Sequence, residues 1–231
     1  MSLKERYEAI EHTVHDACET CGRDAHEVTI IGVSKTVDVD AVAEAIEAGI
    51  HDFGENRPQE LARKHDAFPD ERWHFIGNIQ SRQLSHVVGR ACLIHSLYEI
   101  SHAQKIDRLA AEQGIVQDVL IEVNDGEENK QGVDPTELFD VLMACSRLEH
   151  VRVCGLMTMA MKGSLEEARA TFADLQILRD TMQSKLLRNG VTNVELRELS
   201  MGMSDDYLEA IPHGATMVRV GRAIFSDDYA R

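Results

Sequence analysis

The sequence predicts a (β/α)8 barrel preceded by an extra helix. Eight short apolar runs, rich in β-branched residues, are spread over roughly 200 residues, and helix-period segments separate most of them. A doubly wound open sheet is the competing arrangement, but no glycine-rich dinucleotide turn follows the first run. With four prolines and no low-complexity stretch, residues 1–231 read as a single domain.

The elements follow in chain order. Residues 2–21 form a helical pattern in which Leu3, Tyr7, Ile10, Val14 and Ala17 share one face, suited to packing on the barrel wall. The first strand is 28–33, Val-Thr-Ile-Ile-Gly-Val, followed by Ser34-Lys35-Thr36. A helix over 40–48 leads to a strand at 51–53 and the turn Gly54-Glu55-Asn56-Arg57. Pro58 opens the next helix, 58–65, as proline does well at a first turn. Strands at 73–76 and 92–95 follow, the former ending in Gly77-Asn78-Ile79-Gln80. The helix 101–113 precedes a strand at 119–123 and the turn Asn124-Asp125-Gly126. A helix at 135–145 and a strand at 153–156 come next, then Met157-Thr158-Met159. The long helix 164–187 carries Leu165, Ala168, Phe172, Leu175, Ile177, Leu178 and Met182 close to a helical period. Strands at 194–199 and 217–220 flank a short helix at 207–211 and end in Ser200-Met201-Gly202 and Gly221-Arg222.

Composition narrows the function classes. The formal charge is −16, from 40 acidic and 24 basic residues, which disfavours nucleic acid and anionic membranes as partners. No apolar run approaches the roughly 20 residues that span a bilayer. The charged N-terminus lacks the apolar core of a signal peptide, so a cytoplasmic location is expected. Five cysteines, an odd number, argue against a disulfide framework, and Cys18 and Cys21 have no second Cys/His pair at zinc spacing, so no metal site is expected.

Barrel chemistry sits on the loops after the strands. Lys35 closes the first strand there, and partial burial over the barrel top would favour a neutral, nucleophilic amine. Ser200-Met201-Gly202 and Gly221-Arg222 follow the last two strands, where such barrels commonly hold a phosphate. Glycines let backbone N–H groups approach anionic oxygens, and a serine hydroxyl adds a donor. Ser204-Asp205-Asp206 reads instead as N-cap material for the helix carrying Tyr207 and Leu208. Arg219, between Val218 and Val220 in a core strand, needs a partner and would face a cofactor ring nitrogen if it points to the top. Since guanidinium accepts no proton, that nitrogen would stay unprotonated and the ring would be a poor electron sink. His74 reads as a core or rim histidine before it reads as a base.

Six blocks in order resemble the pyridoxal phosphate homeostasis proteins, single-domain relatives of the alanine racemase N-terminal barrel. They are Gly32-Val33-Ser34-Lys35-Thr36, Phe53-Gly54-Glu55-Asn56, Trp73-His74-Phe75-Ile76-Gly77, Gly155-Leu156-Met157-Thr158-Met159, Leu199-Ser200-Met201-Gly202-Met203-Ser204 and the stretch from Gly214 to Phe225. The resemblance implies a (β/α)8 barrel that holds pyridoxal 5'-phosphate (PLP) as a Schiff base on Lys35. It implies that Asn56 lines the ring and that Arg219 faces the pyridine nitrogen. Ser200, Met201, Gly202, Gly221 and Arg222 would surround the phosphate. It further implies a role in vitamin B6 balance with no established turnover, so no residue is assigned a catalytic role. PLP-dependent apo-enzymes are candidate partners, and a monomer is expected.

The chain departs from the family pattern at Arg57-Pro58 and at Arg82-Gln83, both on rim loops. Two enzymatic alternatives use the same parts. A fold-type-III PLP enzyme such as an amino-acid racemase needs a second acid or base opposite the lysine, which a following domain supplies in two-domain racemases; Tyr207 is the nearest phenol here. A Schiff-base aldolase would want a lysine on a later strand, for which Lys130 is the nearest candidate.

Overall fold

In the computed structural model, which describes residues 1–124, 131–160 and 163–229, eight parallel strands close into a barrel in sequence order. Asp125, Gly126 and Lys130, named above, lie outside the described residues. Helix α1 (Leu3–Cys21) precedes β1 (Thr29–Val33), α2 (Val39–Glu47), β2 (Asp52–Glu55), α3 (Pro58–Ala67) and β3 (Arg72–Phe75). A 3-10 segment, Ser81–His86, takes the place of a helix before β4 (Leu93–Leu97). The chain continues through α4 (Ile100–Gln113), β5 (Gln117–Glu122), α5 (Leu138–Cys145), β6 (Val151–Met157) and α6 (Leu165–Arg188). It ends with β7 (Glu198–Met203), α7 (Tyr207–Ala210), β8 (Met217–Val220) and α8 (Arg222–Phe225). β8 closes the ring on β1, with Thr29 opposite Met217 and Gly32 opposite Val220.

The period-2 alternation of the strands sorts side chains into two layers. Outward residues such as Phe53, Trp73, Phe75, Ile94, Leu199, Met201 and Val218 join the main core with Leu61, Ile106, Leu142 and Phe172 from the surrounding segments. Each such buried side chain contributes about 1.5–3 kcal/mol. Inward residues form a smaller cluster of Ile31, Leu93, Leu120, Cys154, Met157 and Met217. His74, His95, Ser200 and Arg219 have the same parity and are also buried. The barrel therefore carries a polar interior beside its apolar one.

Helix α1 starts with a capping box, in which the Glu5 N–H donates to Ser2 Oγ and the Ser2 N–H donates to Glu5. It buries Leu3, Tyr7, Ile10, Val14 and Cys18, and packs against α7 and α8. Arg6 Nε donates to the Ile224 carbonyl at 2.7 Å, tying α1 to the last helix.

The expected strand at 194–199 is displaced. Val191, Val194 and Leu196 are buried in the outer core without strand pairing, and the ladder with β6 begins only at Glu198 opposite Gly155. β7 therefore reaches Met203, and Ser200, Met201 and Gly202 are strand residues rather than a loop. Glu55 likewise belongs to β2 and is buried, not part of the turn after it. Among the described residues no helix is long and apolar enough to cross a membrane.

Candidate functional site

β1 ends at Val33, and the Val37 N–H donates to the Ser34 carbonyl at 3.0 Å, forming a turn that carries Lys35 and Thr36 out of the strand. Lys35 is exposed. The partial burial expected for it is not observed, because the turn lifts it off the inward–outward alternation of β1. Register fixes its neighbours. Val33 lies opposite Gly54 of β2, and Gly32 lies opposite Val220 of β8. Asn56, one residue beyond β2, and Gly221, one beyond β8, thus reach the same rim as Lys35. Asn56 is half-buried, and its Oδ1 is enclosed with no hydrogen-bond partner. A Cβ on Gly77 would sit 2.1 Å from the Asn56 carbonyl oxygen, so glycine is required where the loop after β3 crosses Asn56.

Beneath Lys35 lies a second lysine that sequence reasoning passed over. Lys64 of α3 is fully buried, and its Nζ donates to Glu55 Oε1 at 2.5 Å and to the Ser34 carbonyl at 2.8 Å. Ser34 Oγ donates to the same carboxylate oxygen at 2.6 Å, while Glu55 Oε2 has no partner. The buried ammonium at the mouth of β1 therefore belongs to Lys64, and it fixes the backbone immediately before Lys35. Its signal in the sequence was a lysine in line with Pro58 and Leu61 on the apolar face of α3.

Ser200 does not stand among the rim donors as expected. Leu199 and Met201 face the outer core, so Ser200 faces the barrel interior, where its Oγ accepts from Arg219 Nη1 at 2.7 Å and contacts His95 Nδ1 at 2.8 Å. Met201 packs its side chain in the outer core. Gly202 has φ +92°, and a Cβ there would meet Tyr207 Cα at 2.8 Å, so it permits β7 and α7 to touch. Arg219 is 4% exposed and also donates from Nη2 to the Thr158 carbonyl at 3.0 Å. Burial pulls its guanidinium down to about 10, against the opposing pull of Asp206 and Glu122.

The hydroxyl at the rim is that of Ser204. Its Oγ accepts from the Gly221 N–H at 3.2 Å and from the Ala223 N–H at 3.5 Å, and Tyr229 donates to its carbonyl at 2.7 Å. The expectation that Ser204 belongs to a helix cap is corrected: Asp206 takes the local turn by accepting from the Met203 N–H at 2.6 Å. Gly221 packs tightly on Val33, where a Cβ would stand 3.1 Å from the carbonyl oxygen. Arg222 is exposed and pairs with Asp205.

The rim thus joins an accessible amine, a half-buried amide with an unanswered acceptor, a hydroxyl and the amides that open α8, with Arg219 buried in the barrel interior. Such a set of groups fits a ligand bearing an aldehyde and an anionic tail. Tyr207 is turned away, its phenol 2.8 Å from Thr13 Oγ1 on α1. His74 is a fully buried interior residue and makes no part of the rim.

The alanine racemase N-terminal domain family matches residues 6–228. The pyridoxal phosphate homeostasis protein of Aquifex aeolicus (strain VF5) is 39% identical over 231 residues, covering 98% of this chain and 99% of that one. An unknown protein from Bifidobacterium adolescentis has a crystal structure similar at TM-score 0.90 and 33% identity, over 96% of this chain and 94% of that one. PipY of Synechococcus elongatus PCC7942, solved with PLP bound, is similar at TM-score 0.85 and 32% identity, over 97% of this chain and 100% of that one. The chain belongs to the alanine racemase N-terminal domain family and, within it, to the pyridoxal phosphate homeostasis proteins.

Proposed function

We propose that this protein binds pyridoxal 5'-phosphate across the barrel mouth, covalently through Lys35, and serves intracellular PLP balance without catalytic turnover. The observation that carries the reading is the meeting of Lys35, Asn56, Ser204 and Gly221 on one rim, in a chain 32% identical to PipY, whose PLP-bound structure is known. PLP supplies an aldehyde reactive toward amines, a pyridine ring and a phosphate. Lys35 offers the amine, and Asn56 offers its unanswered Oδ1 beside the ring. The phosphate is assigned to the Ser204 hydroxyl and the backbone around Gly221 and Arg222, with Ser200 acting from below through Arg219.

Two features favour holding over turnover. Arg219 can only donate, so toward a pyridine nitrogen it leaves the ring a weak electron sink. The Tyr207 phenol, the second acid or base considered from the sequence, is committed to Thr13. The chain is read as one domain over residues 1–231, a monomer in the cytoplasm, handing PLP to apo-enzymes.

Borohydride reduction of the PLP-loaded protein, followed by peptide mapping, tests the anchor. The label is expected on the Lys35 peptide, and Lys35→Ala should remain folded but lose the visible absorbance. Label on Lys64 or Lys130 overturns the assignment. Measurable amino-acid racemisation by the loaded protein overturns the non-catalytic reading.

A further inference from the structure

Arg219 is the upper end of a continuous polar chain through the barrel. Asp52 Oδ1 lies 2.9 Å from His74 Nε2, and His74 Nδ1 lies 2.9 Å from His95 Nε2. His95 Nδ1 is 2.8 Å from Ser200 Oγ, which accepts from Arg219 Nη1 at 2.7 Å. Strands β2, β3, β4, β7 and β8 each contribute one member. Asp52 opens β2 at the end of the barrel opposite Lys35, where its side chain is 19% exposed and pairs with Arg72. A barrel of this size fills its interior readily with apolar layers, and a buried polar chain costs stability unless every link is made. Two imidazoles meeting edge-on are therefore not needed to fill the space.

Donor rules restrict the chain to two states. Arg219 only donates and ionised Asp52 only accepts. With neutral His74, every hydrogen points one way, from Arg219 through Ser200, His95 and His74 to Asp52. With a doubly protonated His74, both of its nitrogens donate. His95 must then accept at Nε2, carry its hydrogen on Nδ1 and donate to Ser200. Ser200 Oγ consequently accepts from both sides, and its own hydrogen leaves the chain. Burial alone would keep His74 neutral, but hydrogen bonds to Asp52 and Cys92 outweigh it and raise the group to about 9. His95 stays neutral because of burial and the cations His74 and Arg219 on either side. Glu122 and Asp206 act on Arg219 from other elements, and Tyr7 of α1 lies within electrostatic reach of Asp52.

We propose that His74, His95 and Ser200 are positioning residues for Arg219, forming a relay in which one proton at the far end of the barrel sets the His95 tautomer and the partner of the Ser200 hydroxyl hydrogen beneath the guanidinium at the ligand side. The relay is a property of the empty protein; its effect on a bound ring rests on the PLP reading above.

Two measurements separate these layers. In the ligand-free protein labelled with 15N-histidine, His74 should carry hydrogens on both nitrogens at neutral pH and His95 on Nδ1. As His74 loses its proton near pH 9, His95 should move to the Nε2–H tautomer in the same titration without becoming charged. A His95 tautomer that stays constant through that titration overturns the relay. In the PLP-loaded protein, the visible absorbance should change in a step tracking His74, and His95→Phe should abolish that step while weakening PLP about tenfold, as for a lost hydrogen bond to a charged group. His95→Gln, which keeps a donor and an acceptor, should restore affinity but not the step. A step unchanged in both variants overturns the coupling to Arg219. Failure to take up PLP at all sinks the ligand assignment alone, because the tautomer experiment still decides the relay.

Discussion

Lys64→Met removes one half of the ion pair beneath Lys35 and leaves the other half in place. Both side chains are essentially inaccessible, at 1% for Lys64 and 0% for Glu55. After the substitution Glu55 retains only the Ser34 hydroxyl, since its second oxygen is already unpartnered, and the Ser34 carbonyl keeps the Val37 N–H but loses the lysine. Breaking a buried pair in this way costs about 3–5 kcal/mol, a large share of the roughly 5–15 kcal/mol that holds a typical domain together. Urea unfolding at neutral pH should register it as a lower midpoint with unchanged slope. Adding Glu55→Gln removes the stranded charge and should recover at least half of the loss, which a double-mutant cycle reads directly. A loss below about 1 kcal/mol for Lys64→Met alone would refute the argument, because it would mean that Glu55 finds solvent or another partner without the lysine.

Two further expectations concern the interior and its lower end. Gly202→Ala forces a side chain at φ +92° into Tyr207 Cα at 2.8 Å and Ala210 Cβ at 2.9 Å; strain and overpacking together should cost about 2–4 kcal/mol, and an unaltered melting temperature would contradict the close β7–α7 contact. Stability should also fall with rising pH above neutrality. The folded value of His74, about 9 against an ordinary 6.5, means its contribution is complete below 6.5 and lost as pH rises to about 9, for a total of about 3 kcal/mol. Asp52, held below its ordinary value despite burial by His74 and Arg72, contributes above 3.8 and loses that contribution as pH falls. Denaturation midpoints from pH 5 to 10 should decline over the upper range in the native chain and flatten in Asp52→Asn; equal slopes in both would speak against the pair.

The barrel was legible because β-branched runs and helical periods alternate so regularly, and because Lys35 and Gly221 close their strands at the expected places. What escaped the sequence reading has a common physical origin. The segment 194–199 looks like a strand because buried Val194 and Leu196 alternate with charged residues, yet burial without a pairing strand leaves no distinct mark in one dimension. Placing that strand four residues early put Ser200 in a loop, although its flanking Leu199 and Met201 dictate an inward direction once the true span is known. Lys64 was hidden for a different reason. A lysine on a helix is ordinarily solvated, and only Glu55, nine residues earlier, reveals why this one is not. Ser204 looked like a helix cap because its role depends on Gly221, seventeen residues away.

Ring closure also has a kinetic consequence. Lys35 follows β1 and Gly221 follows β8, so the two halves of the mouth come from opposite ends of the chain and become neighbours only when Thr29 meets Met217. That contact has nearly the largest sequence separation in the molecule, and such contacts form late and slowly. A nascent or partly folded chain lacking the last strand presents the amine without the anion cradle. Any ligand that needs both therefore selects the fully closed ring, and its affinity adds directly to the free energy that keeps the seam from opening.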